Sequence, residues 1–465
     1  MRRKIFTTFI CLASSLWASA APVGPSTAKD AATKFLNKHR VSSTSLQSVQ
    51  LTDSLGFYAF NVGGENGFVL IASDNSVSPI IGYSTTGHFE WEELPFNAQN
   101  WMQGYRKGAI TEDAESTATN AWNNLLEGKS TNQPKAFAPA VEPLCKANWY
   151  QLDYYNAKCP TAKGKDQAVT GCVATAMGII MKYWNYPACG KGSISYTDSN
   201  YGPIDADFSQ SYYDWDNMPE TLDENSTPAE VDAVATLLAD CAFSIHSEFG
   251  DTKEGTAATL ICAEPNDQET AEYALKTFFG YDGSKIKSMV RNNFFDNTWK
   301  LYLKNELNEG RPIIYDGAST GDGLGGHCFV CDGYDADGLF HFNWGWNGSA
   351  NGYFSIDAMT PVPGFDFNHS QEALIGITPP PSYFSVENTF ADGLQVYPNP
   401  ATDVLHIKLP EGAEKCTYTL TNSCGQKVRN AEAAEILSIA GLTPGIYMLQ
   451  VMTCDKTYKR QIIIK

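Results

Sequence analysis

The sequence predicts an α+β protein in three units, of which the last is all-β. Three observations carry that expectation. The chain has 12 cysteines, yet none falls between residues 21 and 144. An apolar helical run from Cys172 to Trp184 is followed, far along the chain, by strand-like runs at 312–315, 327–331 and 339–344, with turns such as Asp332-Gly333 and Asp337-Gly338 between them. Short alternating runs at regular spacing close the chain.

The first 20 residues read as a leader. Arg2, Arg3 and Lys4 precede a mostly apolar stretch from Ile5 to Trp17, and Ala18-Ser19-Ala20 supplies the small residues of a cleavage site. The apolar stretch is too short for a stable bilayer span, and no other window offers one. Losing Cys11 with the leader leaves an odd number of cysteines, so at least one thiol of an exported monomer stays unpaired.

Residues 21–138 form the first unit. Ser26 to Asp30, followed by Ala31, Ala32, Phe35 and Leu36, predict a capped amphipathic helix. Strands are expected over 56–62 and 67–72, with a further apolar run at Ile80-Ile81-Gly82-Tyr83. A second helix is expected over 97–110, and the Ser-, Thr- and Asn-rich segment 112–138 reads as a linker. Residues 139–379 form the largest unit, which Pro379-Pro380-Pro381 closes. Residues 391–465 predict a small β-sandwich, with strands at 404–409, 417–421, 446–451 and 458–464.

A net charge of −19 argues against nucleic-acid binding, which needs basic patches. No Walker loop, H-E-x-x-H or G-x-S-x-G stands in the chain, so no motif supports a nucleotide, a catalytic zinc or a serine nucleophile. No cofactor and no metal is expected.

Two residues carry candidate chemistry. Cys172 follows Thr170-Gly171 at the expected start of a helix, where free N–H groups and the positive dipole end favour a thiolate and can receive an oxyanion. His327 follows Gly325-Gly326 at the start of an apolar strand and suits a general base. Asn343, Trp344 and Trp346 follow on the next strand and are placed to orient and shield an imidazole. Taken singly, a buried structural cysteine and a satisfied structural histidine explain Cys172 and His327 as well. A zinc site from His327, Cys328, Cys331 and His341 fails, because neighbours in a strand alternate faces.

Together these motifs resemble the streptopain family of papain-like cysteine peptidases, which includes the interpains. Gly171-Cys172-Val173-Ala174-Thr175-Ala176, continuing to Tyr183-Trp184-Asn185-Tyr186-Pro187, resembles its nucleophile helix. Gly325-Gly326-His327-Cys328-Phe329-Val330 resembles its histidine motif, and Phe342-Asn343-Trp344-Gly345-Trp346 its tryptophan motif. The stretch from Val141 to Pro160 resembles the mature N-terminus, and 67–105 the propeptide.

The resemblance implies a papain-like catalytic domain of two subdomains over 139–379, preceded by an α+β inhibitory propeptide over 21–138. It implies a secreted endopeptidase made as a zymogen, with Cys172 as nucleophile, His327 as base, Trp346 over the imidazole and Asn343 at the orienting position. Gly326 and Thr256 would contact substrate, Asn97 would be the inhibitory asparagine, and the enzyme would prefer an apolar residue at P2. Asp316 departs from the pattern, standing where the family can place an oxyanion-binding Gln. It points away, is protonated, or leaves the task to another group such as Gln167. A surface adhesin built on an inactive peptidase fold and an acyl transferase with the same dyad are the alternatives.

The last unit resembles the sorting domain of the type IX secretion route. The matching residues are Val396-Tyr397-Pro398-Asn399-Pro400, Asp403, Gly445-Ile446-Tyr447 and the end from Lys459 to Lys465. It implies that the secretion machinery is a partner and that the chain crosses the periplasm and outer membrane.

Overall fold

A computed structural model describes residues 22–39, 46–49, 56–64, 66–91, 112–128, 140–252, 255–260, 267–317, 326–356, 371–384, 394–409, 416–422, 426–432, 435–453 and 457–465. The leader, the expected helix over 97–110 with Asn97, and Gly325 lie outside the described residues.

The first unit opens with helix α1, Pro25–Lys38, which has Pro25 in its first turn. Its buried stripe of Ala28, Ala31, Ala32, Phe35 and Leu36 has helical spacing and packs on a small sheet. That sheet is an antiparallel series: β1 (Leu46–Ser48), β2 (Phe57–Val62), β3 (Phe68–Ala72) and β4 (Ile80–Ser84). The segment read as a linker instead opens with helix α2, Glu112–Leu126, which lies against α1. Its polar content hid Ala118 and Trp122, a buried pair four residues apart, and the Trp122 indole donates to Val77 O at 2.9 Å.

The central unit begins with helix α3, Cys172–Trp184, and a hairpin of β5 (Ser193–Asp198) and β6 (Gly202–Asp207). Helix α4, Pro228–Ser244, follows; Thr227 and Glu230 cap it reciprocally. Then come α5 (Ala271–Thr277), β7 (Lys287–Val290), α6 (Asp296–Asn308), β8 (Ile313–Gly317), β9 (His327–Tyr334), β10 (Phe340–Asn343), β11 (Gly352–Phe354) and β12 (Glu372–Ile375).

The two units share one ten-stranded sheet, in the order β1-β2-β3-β4-β11-β10-β9-β8-β12-β7. They meet where β4 pairs antiparallel with β11, Tyr83 opposite Tyr353 and Gly82 opposite Phe354. Only glycine fits at two points of this seam. A Cβ on Gly82 would lie 2.3 Å from the Phe354 ring, and one on Gly352 would lie 2.4 Å from Tyr83 O. The break visible in the cysteine pattern is thus continuous sheet in space.

Alternation along β9 divides two cores. Phe329 and Cys331 join one that holds Phe68, Phe89, Phe342, Trp344 and Phe354, so first-unit and central-unit side chains pack together. Cys328 and Val330 join the other, with Ile314, Leu374, Met177, Ile180 and Leu238, between the sheet and helices α3 and α4. His327 and Cys328 therefore face opposite ways, as the sequence predicts.

A polar contact also ties α1 to the turn after β9. Lys38 Nζ lies 2.6 Å from Asp337 Oδ1, and His39 Nε2 lies 2.9 Å from Asp337 Oδ2. Beside it, the Tyr83 hydroxyl donates to Asp335 Oδ2 at 3.1 Å.

Short helix α7, Pro381–Phe384, leads to the last unit. Strands β13 (Gln395–Tyr397), β14 (Val404–Lys408) and β17 (Ile436–Ser438) form one sheet. Strands β15 (Cys416–Asn422), β16 (Lys427–Glu432), β18 (Gly445–Thr453) and β19 (Thr457–Ile464) form another. Leu405, Ile407 and Leu437 from the first pack with Tyr418, Leu420, Leu449, Val451 and Ile462 from the second. Among the described residues no helix is long and apolar enough to cross a membrane.

Gly82→Val should open the β4–β11 seam and leave the central unit folded. Hydrogen exchange on the full-length chain should then rise across β1–β4 and stay unchanged in α3 and α4; unchanged exchange at the seam would refute the steric argument. Bonding to His39 and Lys38 holds the Asp337 carboxyl down at about 2. A carboxylate depressed in the folded state stabilises above its ordinary range, and this is lost as pH falls toward about 2. Asp337→Asn should therefore cost about 1–2 kcal/mol at neutral pH, after allowance for solvent screening, and little near pH 2. Chemical denaturation at the two pH values checks this.

Candidate active site

Helix α3 starts abruptly. Gly171 precedes it with φ 85° and ψ 153°, and no side chain caps the helix. The Thr175 N–H and hydroxyl both donate to Gly171 O, at 3.1 and 2.9 Å, and Thr170 Oγ1 lies 3.1 Å from Thr175 Oγ1. A Cβ on Gly171 would meet Thr256 Cγ2 at 3.0 Å, so the turn requires glycine both for its dihedral and for its space. Thr256 is held in turn: its hydroxyl donates to Val169 O at 2.7 Å and accepts from Gly250 N at 3.2 Å.

The first helical N–H groups, those of Cys172 and Val173, favour a thiolate at Cys172. The Cys328 N–H, on strand β9, favours the thiolate as well. Cys172 is half-buried. Removal from water pushes its thiol up to about 11, despite those donors.

His327 stands next to Cys328 at the start of β9 and is buried. Its Nε2 lies 3.1 Å from Trp344 O. Trp346 stacks on the imidazole with ring centroids 4.6 Å apart and planes 21° off parallel. Trp344 stacks on Trp346 at 5.5 Å, and Phe329 stands 5.8 Å from the imidazole. Burial pushes His327 down to about 4, although the Trp344 carbonyl favours its charged form. At neutral pH, then, thiol and imidazole are both uncharged in this state.

Asn343 takes a different position from the one its spacing suggested. Its amide donates to Ala147 O at 2.8 Å and accepts from Gly345 N at 3.2 Å, so it braces the β10 turn against the segment before α3. The Trp344 carbonyl occupies the place beside the imidazole. A main-chain oxygen has no sequence signature, which is why pattern reading assigned the role to the nearest amide side chain. Among the described residues the buried Trp346 indole N–H has no hydrogen-bond partner. Gly326 is exposed beside His327.

The Gln167 amide donates to Asn156 O and Cys159 O, at 2.8 and 3.3 Å, so its donors are already engaged. Asp316 lies in β8 opposite Cys328, and Glu372 of β12 lies opposite Asp316. Glu372 went unnoticed in the sequence because only strand register brings it there. Burial, then the Glu372 charge, push the Asp316 carboxyl up to about 8. Cys189 is disulfide-bonded, whereas Cys145, Cys159, Cys172, Cys241, Cys328 and Cys331 are free thiols. His341 places Nδ1 2.6 Å from Asp332 Oδ1.

Residues 149–354 match the peptidase C10 family. Residues 20–109 match the Spi protease inhibitor model, and residues 395–465 match a secretion system C-terminal sorting domain. The chain is 32% identical over 402 residues to the thiol protease/hemagglutinin PrtT of Porphyromonas gingivalis, which takes in 82% of this chain and 44% of that protein. It is 29% identical over 388 residues to streptopain of Streptococcus pyogenes, covering 76% of this chain and 91% of streptopain. A structure of Prevotella intermedia prointerpain A, a mutant fragment, superposes with a TM-score of 0.58 at 29% identity, over 72% of this chain and all of that one. The sorting domain marks the chain for export across the outer membrane, to the cell surface or the medium. This chain belongs to the peptidase C10 family of cysteine peptidases, with a Spi-type inhibitor region ahead of the peptidase region and a secretion sorting domain behind it.

Proposed function

We propose that the chain is a secreted cysteine endopeptidase held latent by residues 21–138, with Cys172 as nucleophile and His327 as its acid–base partner. The observation that carries this reading is that the N–H of Cys328, the residue next to His327, acts from strand β9 on the Cys172 sulfur and favours its thiolate. The Cys172 thiolate attacks a peptide carbonyl, forming an S–C bond and an oxyanion. His327 passes the thiol proton to the departing amine. Water then cleaves the thioester and restores the thiol. The N–H groups of Cys172 and Val173, at an uncapped helix start, suit the oxyanion.

Latency has a physical basis in this reading. The catalytic ion pair needs a low thiol pKa and a high imidazole pKa, and burial drives both the wrong way. The first unit shares its core with Trp344, Trp346 and Phe329, the rings around the imidazole. Its removal would let water reach that face and relax both shifts. The wall beside Gly171 is the Thr256 methyl, with Ala258 and Leu260 in the adjoining core, which suits an apolar residue at P2. An acyl transferase with the same residues would give amine incorporation in excess of hydrolysis.

Cys172→Ala should lower casein cleavage by the processed enzyme by about 10⁴-fold or more; retained cleavage would overturn the assignment. In the full-length chain, iodoacetamide should alkylate Cys172 slowly at neutral pH and faster as pH rises toward about 11. Release of residues 21–138 should move that profile to lower pH, and supplying them again in trans should suppress peptide hydrolysis.

A further inference from the structure

Three side chains form a row across three adjacent strands. Asp316 in β8 lies directly opposite Cys328 in β9 and opposite Glu372 in β12. Directly opposed residues of antiparallel strands project to the same side. Ile314 and Leu374, each two positions from a member of the row, pack with Cys328 in the core beneath α3, so the row faces that helix. It acts on the nucleophile from its Cys328 end: the Cys328 N–H favours the Cys172 thiolate, and a charge on Asp316 opposes it.

The row contains two half-buried carboxyl groups side by side. The influences on Asp316 are burial and Glu372, and on Glu372 burial alone; neither faces a cation among the described residues. Like charges so placed oppose each other's ionisation, and one of the two retains a proton to higher pH.

We infer that Asp316 works as a neutral acid beside the nucleophile, and that its ionisation closes the active pH range on the alkaline side. The inference rests on the peptidase reading above and names Asp316 as a positioning residue for that site. The groups that face it are Glu372 from β12, Cys328 from β9 and Cys172 from α3. The sign follows from the carboxyl being held up at about 8. Below that value the carboxyl is uncharged and leaves the thiolate and the oxyanion unopposed. Above it, a carboxylate stands beside both, and its charge raises the thiol pKa. This accounts for an acidic residue in a position that must tolerate a developing negative charge.

The test is the pH profile of kcat/KM for a peptide substrate, on processed wild type, Asp316→Asn and Glu372→Gln. Asp316→Asn should move the alkaline limb up by about one pH unit. Glu372→Gln should move it down by about half a unit or more, because Asp316 then loses the neighbour that holds its proton. An unmoved limb in either variant, or shifts in the same direction, would overturn the inference; packing damage alone gives no opposed pair of shifts. If Asp316→Asn does not fold, the downward shift in Glu372→Gln decides alone. A second readout needs no peptidase activity: alkylation of Cys172 in the full-length chain, followed by mass spectrometry. Its midpoint should fall by about half a pH unit or more in Asp316→Asn, and an unchanged midpoint counts against the inference. A lowered midpoint in a protein that hydrolyses nothing would sink the peptidase reading and leave Asp316 as the group that tunes this thiol.

Discussion

The site depends on one backbone turn. Gly171 sits at φ 85° with Thr256 closed against its α-carbon, and helix α3 begins at the next residue. That turn leaves the first N–H groups of the helix uncapped, and they favour a thiolate at Cys172. Any other residue there would both strain the dihedral and strike Thr256. The bonds from Thr175 to Gly171 O fix the turn from the helix side, and those of Thr256 fix it from the loop side. Cys172 is thus positioned by main chain, with side chains bracing the main chain.

The second constraint is alternation along β9. His327 faces the aromatic core with Trp346 and Phe329, while Cys328 faces α3. One strand therefore carries the imidazole at its start and, at the next residue, a peptide N–H that favours the Cys172 thiolate. The same alternation places Asp316 and Glu372 on the α3 side. Burial acts on all these groups together, and in this state it favours every uncharged form.

Sheet continuity links the inhibitor region to the chemistry. Strand β4 pairs with β11, β11 with β10, and β10 carries the turn from which Trp344 and Trp346 reach the imidazole. The polar contact of Lys38 and His39 with Asp337 holds the same region from the other end of α1. Docking of the first unit and burial of the imidazole are thus consequences of one sheet and one core.

By itself the sequence determined the α+β class, the helix from Cys172, the strand from His327, the Gly-Cys junction and the all-β end, because each rests on local periodicity, turn residues or contiguous motifs. The buried face of α1 and the opposed orientations of His327 and Cys328 were legible for the same reason. Tertiary structure alone decided what register and main chain contribute. It placed the Trp344 carbonyl at the imidazole and turned Asn343 to Ala147, because a backbone oxygen leaves no trace in residue type. It made a helix of 112–126, where packing on α1 outweighs polar composition. It also brought Glu372 to Asp316 across 56 positions of chain, a neighbour that only strand pairing creates.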